Sequence, residues 1–117
     1  MTLVIYGIPN CGSVRKARKW LDGEGVDYRF HDLRADGLTQ KMLDEWADAC
    51  GWQPLLNKRS TTFRGLSDEE KRVAERDAAL ALMEANPTLV KRPIAVHEDG
   101  DRVLVGFNHT EWENAFG

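Results

Sequence analysis

LVIYGIPNCGSVRKARKWLDGEGVDYRFHDL, residues 3–33, contains a short apolar run and a run of alternating apolar and polar residues, with a basic stretch of helical spacing between them. The runs Thr2–Tyr6 and Val26–Leu33 have the β-branched and aromatic content of strands. Between them, Ser13–Leu21 repeats an apolar residue at every third or fourth position, which predicts a helix. A strand, a helix and a strand within about 30 residues predict a βαβ unit with parallel strands.

The rest of the chain predicts a helical segment, then a β-hairpin and a last helix. The expected elements are helices at Thr39–Cys50 and within Asp68–Ala85, strands at Ile94–His97 and Arg102–Val105, and a helix at Thr110–Phe116. This order predicts an α/β fold of thioredoxin-like type, a four-stranded mixed sheet flanked by helices. We expect a single domain over residues 1–117, with an all-helical insertion at approximately 38–87 between strand 2 and the C-terminal β-hairpin.

Length and composition limit the class of protein. The chain has 117 residues, 42% of them hydrophobic and 30% charged, which fits one globular domain. The net charge of −3 argues against direct nucleic-acid binding, which needs a basic stripe. Apolar runs of about five residues are too short to cross a bilayer, and no secretory signal is evident. We therefore expect a cytoplasmic protein without a membrane partner.

Cys11 is the first candidate for chemistry. It follows a strand and the turn Gly7–Asn10, and it precedes the basic helix. Free N–H groups and the helix dipole favour an anion at such a position, which lowers a thiol pKa and supplies the reactive thiolate. Arg15 and Lys16 add positive charge. A small buried cysteine without reactivity is the alternative, and the turn and the basic residues favour the reactive interpretation.

The second cysteine, Cys50, ends an amphipathic helix and is expected to pack in the core of the insertion. A resolving role would need its Cα within about 7 Å of the Cα of Cys11. Two cysteines are too few for a disulfide framework, and no Cys/His cluster has zinc spacing. We expect no metal and no bound cofactor.

Four separated motifs carry a resemblance to a known family. They are Tyr6–Cys11 with Val14–Ala17, Asn57–Arg64, Leu89–Ile94, and Gly106–Asn108. The chain resembles the arsenate reductase-like (ArsC) family, which includes arsenate reductases, the Spx transcription regulators and the YffB group. It is most similar to the YffB group, and that resemblance implies a glutathione-dependent thiol reductase with a redox-active cysteine and a cis-proline.

The resemblance also implies the site residues. Cys11 is expected to be the catalytic thiol, and glutathione or substrate is expected to contact Asn10, Arg15, Arg59, Arg92 and Pro93. Pro93 would be the cis-proline that presents the neighbouring backbone to a peptide-like thiol. Arg92 stands at the position of the second arginine of the family's oxyanion site. Arg59 lies near the position of the first arginine, although a gapless alignment places Asn57 at that position.

Two of these arginines keep a second interpretation. Arg15 either faces the thiolate or is a solvated helix charge. The loop containing Lys58 and Arg59 either recognises an anion through guanidinium and hydroxyl donors or is a solvated basic turn.

The residues around Cys11 limit the chemistry. Val14 stands where a Cys-x-x-Cys motif would place its second cysteine, so a mixed disulfide on Cys11 needs an external thiol to resolve it. We predict an oxidoreductase, a thiol/disulfide reductase with glutathione as cosubstrate, acting as a monomer on glutathione or a small thiol or disulfide.

Two alternatives stay open. The first is an Spx-like regulator that docks on a protein partner, RNA polymerase. The second is an arsenate reductase, which is disfavoured because Gly106-Phe107-Asn108 stands where the third arginine is expected.

Overall fold

The computed structural model describes residues 3–72, 75–97 and 102–116. The chain divides into two compact units, one formed by Met1–Gly37 with Arg92–Gly117 and the other by Leu38–Lys91. The elements in chain order are β1 (Leu3–Gly7), α1 (Gly12–Gly23), β2 (Tyr28–Asp32), α2 (Gln40–Cys50), α3 (Thr61–Arg64), α4 (Asp68–Lys71), α5 (Arg76–Ala85), a 3₁₀ turn (Pro87–Leu89), β3 (Ile94–His97), β4 (Val103–Val105) and α6 (His109–Phe116).

The first unit holds a four-stranded mixed sheet in the order β2-β1-β3-β4. β1 pairs in parallel with β2 and antiparallel with β3, and β3 pairs antiparallel with β4. The α1 crossover between β1 and β2 follows from their parallel direction, because parallel neighbours cannot be joined by a tight turn. The predicted α/β, thioredoxin-like fold is confirmed.

The core of this unit lies between the sheet and helices α1 and α6. Its buried members are Leu3, Ile5, Ala17, Leu21, Ala95 and Trp112. Burial of each large apolar side chain contributes about 1.5–3 kcal/mol. The polar face of α1 also contacts the sheet, because the Arg18 guanidinium lies 4.2 Å from the centre of the Phe30 ring and Nε donates to the Tyr28 hydroxyl at 3.2 Å. Together these contacts hold α1 along its length.

The second unit is built on α2 and α5. Thr39 begins α2 by accepting a hydrogen bond from the N–H of Met42 at 3.2 Å, and Gly51 follows its end with φ 85°. The buried faces consist of Leu43, Trp46 and Ala47 on α2 and Ala79, Leu80 and Met83 on α5. Arg76 adds an ion pair of 2.8 Å to Asp48 at the rim. The unit is therefore a small helical core of its own.

The structure changes several predicted boundaries. Helix α1 starts one residue before Ser13 and continues to Gly23, and β2 is shorter than the predicted Val26–Leu33. The predicted Asp68–Ala85 segment contains two helices, and the first begins with a capping box formed by Ser67 and Glu70. Thr2 and the predicted hairpin turn at residues 98–101 lie outside the described residues.

One helix was not predicted. The loop that contains the basic residues includes α3, and Ser60 caps it by accepting the N–H of Phe63 at 3.1 Å. Of the helices in the part of the chain that the structure describes, none is long and apolar enough to span a bilayer.

Candidate functional site at Cys11

Cys11 is the N-cap residue of α1, with extended backbone angles of φ −82° and ψ 130°. Its N–H donates to the carbonyl of Ile8 at 3.1 Å, and its carbonyl accepts the N–H of Arg15 at 3.0 Å. The first bond closes the turn that leaves β1, and the second is the first bond of the helix. The half-buried sulfur is therefore fixed where the helix presents free N–H groups.

The electrostatics at this sulfur favour the thiolate. Partial burial by itself raises the pKa of Cys11, but hydrogen bonds from the Val14 N–H, the Arg92 side chain and the Ser13 N–H, with the charge of Arg92, outweigh it and lower the pKa. The side chain makes no capping hydrogen bond of the usual geometry, so these N–H groups act on the charge of the sulfur more than as a cap. The pKa of the thiol is thus lowered by its position on the helix and by one guanidinium.

Arg92 reaches Cys11 because of the strand register. Ile94 of β3 lies opposite Tyr6 of β1, and the two strands are antiparallel. The residues just before Ile94 therefore lie at the same end of these two strands as the residues that follow Tyr6. The Arg92–Pro93 peptide bond is cis, and the carbonyl of Pro93 accepts the N–H of Gly106 at 2.8 Å. This bond ties the start of β3 to the end of β4.

Gly7 sets how closely α1 approaches the sheet. A Cβ at this position would lie 2.7 Å from Cγ2 of Val14, closer than side chains pack. Val14 is completely buried in the first unit and is one of the two residues whose N–H acts on Cys11. Glycine at the end of β1 therefore places the first turn of α1, and with it the sulfur.

The predicted site residues of the first unit differ in their relation to the Cys11 sulfur. Arg92 acts directly on the Cys11 sulfur, and Pro93 is buried next to it in the chain. Asn10 and Arg15 are exposed beside Cys11, and Arg15 is not among the groups that shift its pKa. The structure favours the solvated interpretation of Arg15, and the roles of these residues toward glutathione stay predictions.

Arg59 belongs to the second unit, where it lines an open cavity of about 530 Å³. Lys58 and Lys91 line the same cavity, together with Trp52 and Asn57. The N–H of Arg59 donates to Oδ1 of Asn57 at 3.1 Å, which orders the loop in front of α3. The basic side chains of this loop thus line a cavity, which favours the anion-binding interpretation of the loop.

Cys50 has the opposite setting to Cys11. It is the last residue of α2, and its S–H group donates to the carbonyls of Trp46 at 3.2 Å and Gly51 at 3.4 Å. Burial raises the pKa of this thiol.

In the described ranges, no three His, Cys, Asp or Glu side chains are grouped so that they could hold a metal ion.

Gly106, Phe107 and Asn108 have structural roles in the segment after β4. Gly106 has φ 76°, which favours glycine, and its carbonyl accepts Nε1–H of Trp112 at 3.1 Å. The ring of Phe107 lies 5.1 Å from that of Trp112 and 6.2 Å from that of Trp20. The side chain of Asn108 begins α6 by accepting the N–H of Glu111 at 3.0 Å. This segment therefore supplies packing and a helix start, with no cationic side chain.

The sequence predicted free N–H groups at the helix start, and the structure identifies two of them. They are the N–H groups of Val14 and Ser13, which act on the sulfur regardless of the side chains they carry. Residues at N2 and N3 of a helix with Cys11 as its N-cap offer such free N–H groups.

Comparison with known proteins supports the resemblance. The model of the ArsC family matches residues 6–115. An uncharacterized protein of Haemophilus influenzae is 43% identical over 114 residues, which cover 97% of this chain and 98% of that protein. The global transcriptional regulator Spx of Streptococcus pneumoniae is 30% identical over 111 residues, which cover 93% of this chain and 81% of that protein. The solved structure of a YFFB protein is 41% identical with a TM-score of 0.91, and the match covers 98% of this chain and 99% of that chain.

Proposed function

The chain belongs to the ArsC family, and from this premise we propose that it is a glutathione-dependent thiol/disulfide reductase that acts through Cys11. One observation carries the proposal. The Cys11 sulfur lies at the N-terminus of α1, where the N–H groups of Val14 and Ser13 and the side chain of Arg92 lower its pKa. A lowered pKa supplies a thiolate at neutral pH, which is the form that attacks a disulfide.

The proposed reaction proceeds by two thiol–disulfide exchanges. The Cys11 thiolate attacks the glutathione sulfur of a substrate–glutathione disulfide, forms a Cys11–glutathione disulfide and releases the substrate as a thiolate, which takes a proton from water. The thiolate of a second glutathione, having lost its proton to water, attacks the bound glutathione sulfur, and glutathione disulfide leaves as the Cys11 thiolate is restored. One disulfide bond is present at every stage, so the two electrons that reduce the substrate come from glutathione.

Resolution by external glutathione fits the residue at position 14. Val14 is fully buried against Gly7, so the position of a Cys-x-x-Cys partner is occupied by an apolar side chain that packs the helix. Cys50 holds its proton at the carbonyl end of α2, which does not suit a resolving thiolate. Both observations support a mechanism with one protein thiol and glutathione as cosubstrate.

Arg92 has two proposed roles. It favours the Cys11 thiolate in the resting protein, and it offers a guanidinium to a negatively charged glutathione next to the sulfur. Asn10 and the backbone beside Pro93 are the proposed contacts for the peptide part of glutathione. Arg15 and Arg59 are proposed to act on its carboxylates from solvent-exposed positions. The cytoplasmic location, with its pool of reduced glutathione, belongs to the same proposal.

Intact-mass spectrometry after incubation with oxidised glutathione tests this function. The wild type and Cys50→Ser should gain the mass of one glutathione, and Cys11→Ser should gain none. Reduced glutathione should then remove the adduct, and a glutathionylated peptide should be reduced catalytically with the same dependence on Cys11. A wild-type protein without an adduct, or an adduct that survives in Cys11→Ser, would refute the proposal.

A protein-binding function is the second candidate. It is supported by the 30% identity to the regulator Spx over 93% of this chain. The proposed partner is RNA polymerase, and the binding would not need a reactive thiol. Capture of purified RNA polymerase by both the wild type and Cys11→Ser, together with no glutathione adduct on either, would favour this function over the reductase.

Arsenate reduction is the third and weakest candidate. The segment Gly106–Asn108 has no arginine, and Phe107 is packed among aromatic rings. Each missing charge-assisted hydrogen bond to an oxyanion lowers affinity by about tenfold or more. Arsenate turnover with glutathione and glutaredoxin should therefore be at background level, and turnover that depends on Cys11 would revive this candidate.

A further inference from the structure

The second unit contains a cavity that is a candidate binding site. Its volume of about 530 Å³ lies within the range of small-molecule sites. All of its lining residues belong to the Leu38–Lys91 unit: Trp52, Gln53, Pro54, Leu56, Asn57, Lys58, Arg59 and Lys91. The lining therefore combines an aromatic ring, two amides and three cations, and it includes no acidic residue.

The charge at this cavity is unusual for the chain. Three cations surround it in a protein whose net charge is −3. Ion pairs elsewhere involve Arg76 with Asp44 and Asp48, whereas no ion pair among the described residues involves Lys58, Arg59 or Lys91. Three like charges around one cavity repel each other, and an anion bound inside it offsets this electrostatic repulsion.

The walls of the cavity are fixed by backbone hydrogen bonds. Leu56 forms an isolated antiparallel bridge with Val90. On one side of it the N–H of Asn57 donates to the carbonyl of Leu89 at 2.8 Å, and on the other the N–H of Lys91 donates to the carbonyl of Leu55 at 2.8 Å. Lys91 is therefore held beside the loop of Lys58 and Arg59, although more than 30 residues separate them in the sequence.

The remaining lining residues suit a ligand with a flat portion. Trp52 offers a half-exposed ring, and the amides of Gln53 and Asn57 offer both donors and acceptors. The cations suit two or more phosphate or carboxylate groups. We propose that this cavity binds a small organic polyanion, whose oxyanion groups contact Lys58, Arg59 and Lys91 and whose less polar portion lies against Trp52.

Calorimetric titration of the full chain in a Cys11→Ser background tests the site without thiol chemistry. The probes are ATP, which joins charge to a planar ring, inorganic triphosphate, which has charge alone, and glutathione disulfide, which carries carboxylates without a ring. We expect at least one probe to bind with one-to-one stoichiometry. Stronger binding of ATP than of the other probes would indicate a nucleotide-like ligand, and stronger binding of glutathione disulfide would indicate a peptide dicarboxylate.

Matched variants decide whether the cavity is responsible. The double substitution Lys58→Ala and Lys91→Ala should lower the affinity for the bound probe about tenfold. Lys41→Ala, which removes an exposed cation from α2 in the same unit, should leave its affinity unchanged. Trp52→Leu should lower the affinity for ATP several-fold and leave the affinity for triphosphate unchanged.

The proposal is overturned if no probe binds at millimolar concentration, or if Lys41→Ala weakens binding as much as the double variant. Failure here would not touch the reductase, because alkylation and glutathione adducts at Cys11 are measured independently. Failure of the reductase would likewise leave polyanion binding in Cys11→Ser intact.

Discussion

The two cysteines of this protein lie at opposite ends of two helices, and their thiols differ accordingly. Cys11 precedes the first turn of α1, where N–H groups and Arg92 lower its pKa. Cys50 ends α2, where its S–H donates to two carbonyls and burial raises its pKa. Both side chains are half-buried, so exposure alone does not separate them.

The direction of the backbone at each helix end therefore sets whether the pKa of the thiol is lowered or raised. A helix N-terminus presents donors that stabilise a thiolate, and a C-terminus presents acceptors that stabilise a thiol. Under the proposed mechanism, Cys11 is the reacting thiol and Cys50 stays protonated. Each of the following experiments alters one part of that contrast.

The largest expected effect is on alkylation. At neutral pH, iodoacetamide should label Cys11 on the order of tenfold or more faster than Cys50, because only the thiolate reacts. Peptide mass spectrometry of the wild type measures both rates in one sample. Cys11→Ser should leave slow labelling at Cys50 alone, and equal rates at the two thiols would remove the contrast.

Substitution of Arg92 should have the next largest effect. Arg92→Gln removes the guanidinium and its charge, so the pKa of Cys11 should rise and its alkylation at neutral pH should slow several-fold. Arg92→Lys should fall between the two because it keeps the charge and loses the planar donor geometry. Arg29→Gln, an exposed change on β2, serves as the matched control. A wild-type rate in Arg92→Gln would assign the activation to the helix alone.

Gly7→Ala should disturb the position of α1. Its Cβ would overlap Val14, and overpacking of this kind costs about 1–3 kcal/mol in the free energy of unfolding. Because Val14→Ala removes the overlapping methyl groups, the double variant should be more stable than the sum of the single changes predicts. Urea unfolding of the four proteins measures this coupling, and strict additivity would show that Gly7 does not set the approach of the helix.

The smallest effect concerns stability against pH. The folded pKa of Cys11 is lowered, so its contribution is present above the ordinary thiol pKa and is lost as pH falls through the folded value. The folded pKa of Cys50 is raised, so it reduces stability as pH rises from the ordinary value toward the folded one. Unfolding free energies of Cys11→Ser and Cys50→Ser, relative to wild type, should therefore change with opposite slopes between neutral and alkaline pH. Slopes of the same sign would contradict the assignment.

The sequence predicted the parts of the fold that depend on local patterns. The βαβ unit and the place of Cys11 follow from strand content, a turn and helical spacing. The helix start at Thr39 was also confirmed, because a cap is a short-range signal. Helix α3 was missed, since four residues give too little periodicity to distinguish a helix from a turn.

Features that depend on distant parts of the chain were harder to predict. That Arg92 acts on Cys11 depends on the β1–β3 register, which no local pattern states, and only the family resemblance pointed to it. The cavity beside Lys58 and Arg59 was not predicted at all, because Lys91 and Trp52 join it through the bridge between Leu56 and Val90. Arg15 is close to Cys11 in the sequence, but its side chain is exposed and is not among the groups that shift the pKa of Cys11.

The proposed reductase depends above all on the pKa of the Cys11 thiol, which can be measured. Thiolate absorbance can be titrated in Cys50→Ser, where Cys11 is the only cysteine in the chain. We predict a midpoint clearly below that of a free cysteine thiol, about 8.5, and a return toward that value when Arg92→Gln is added. A midpoint at or above the free value would contradict the account, because the helix start and the guanidinium would then fail to hold a thiolate.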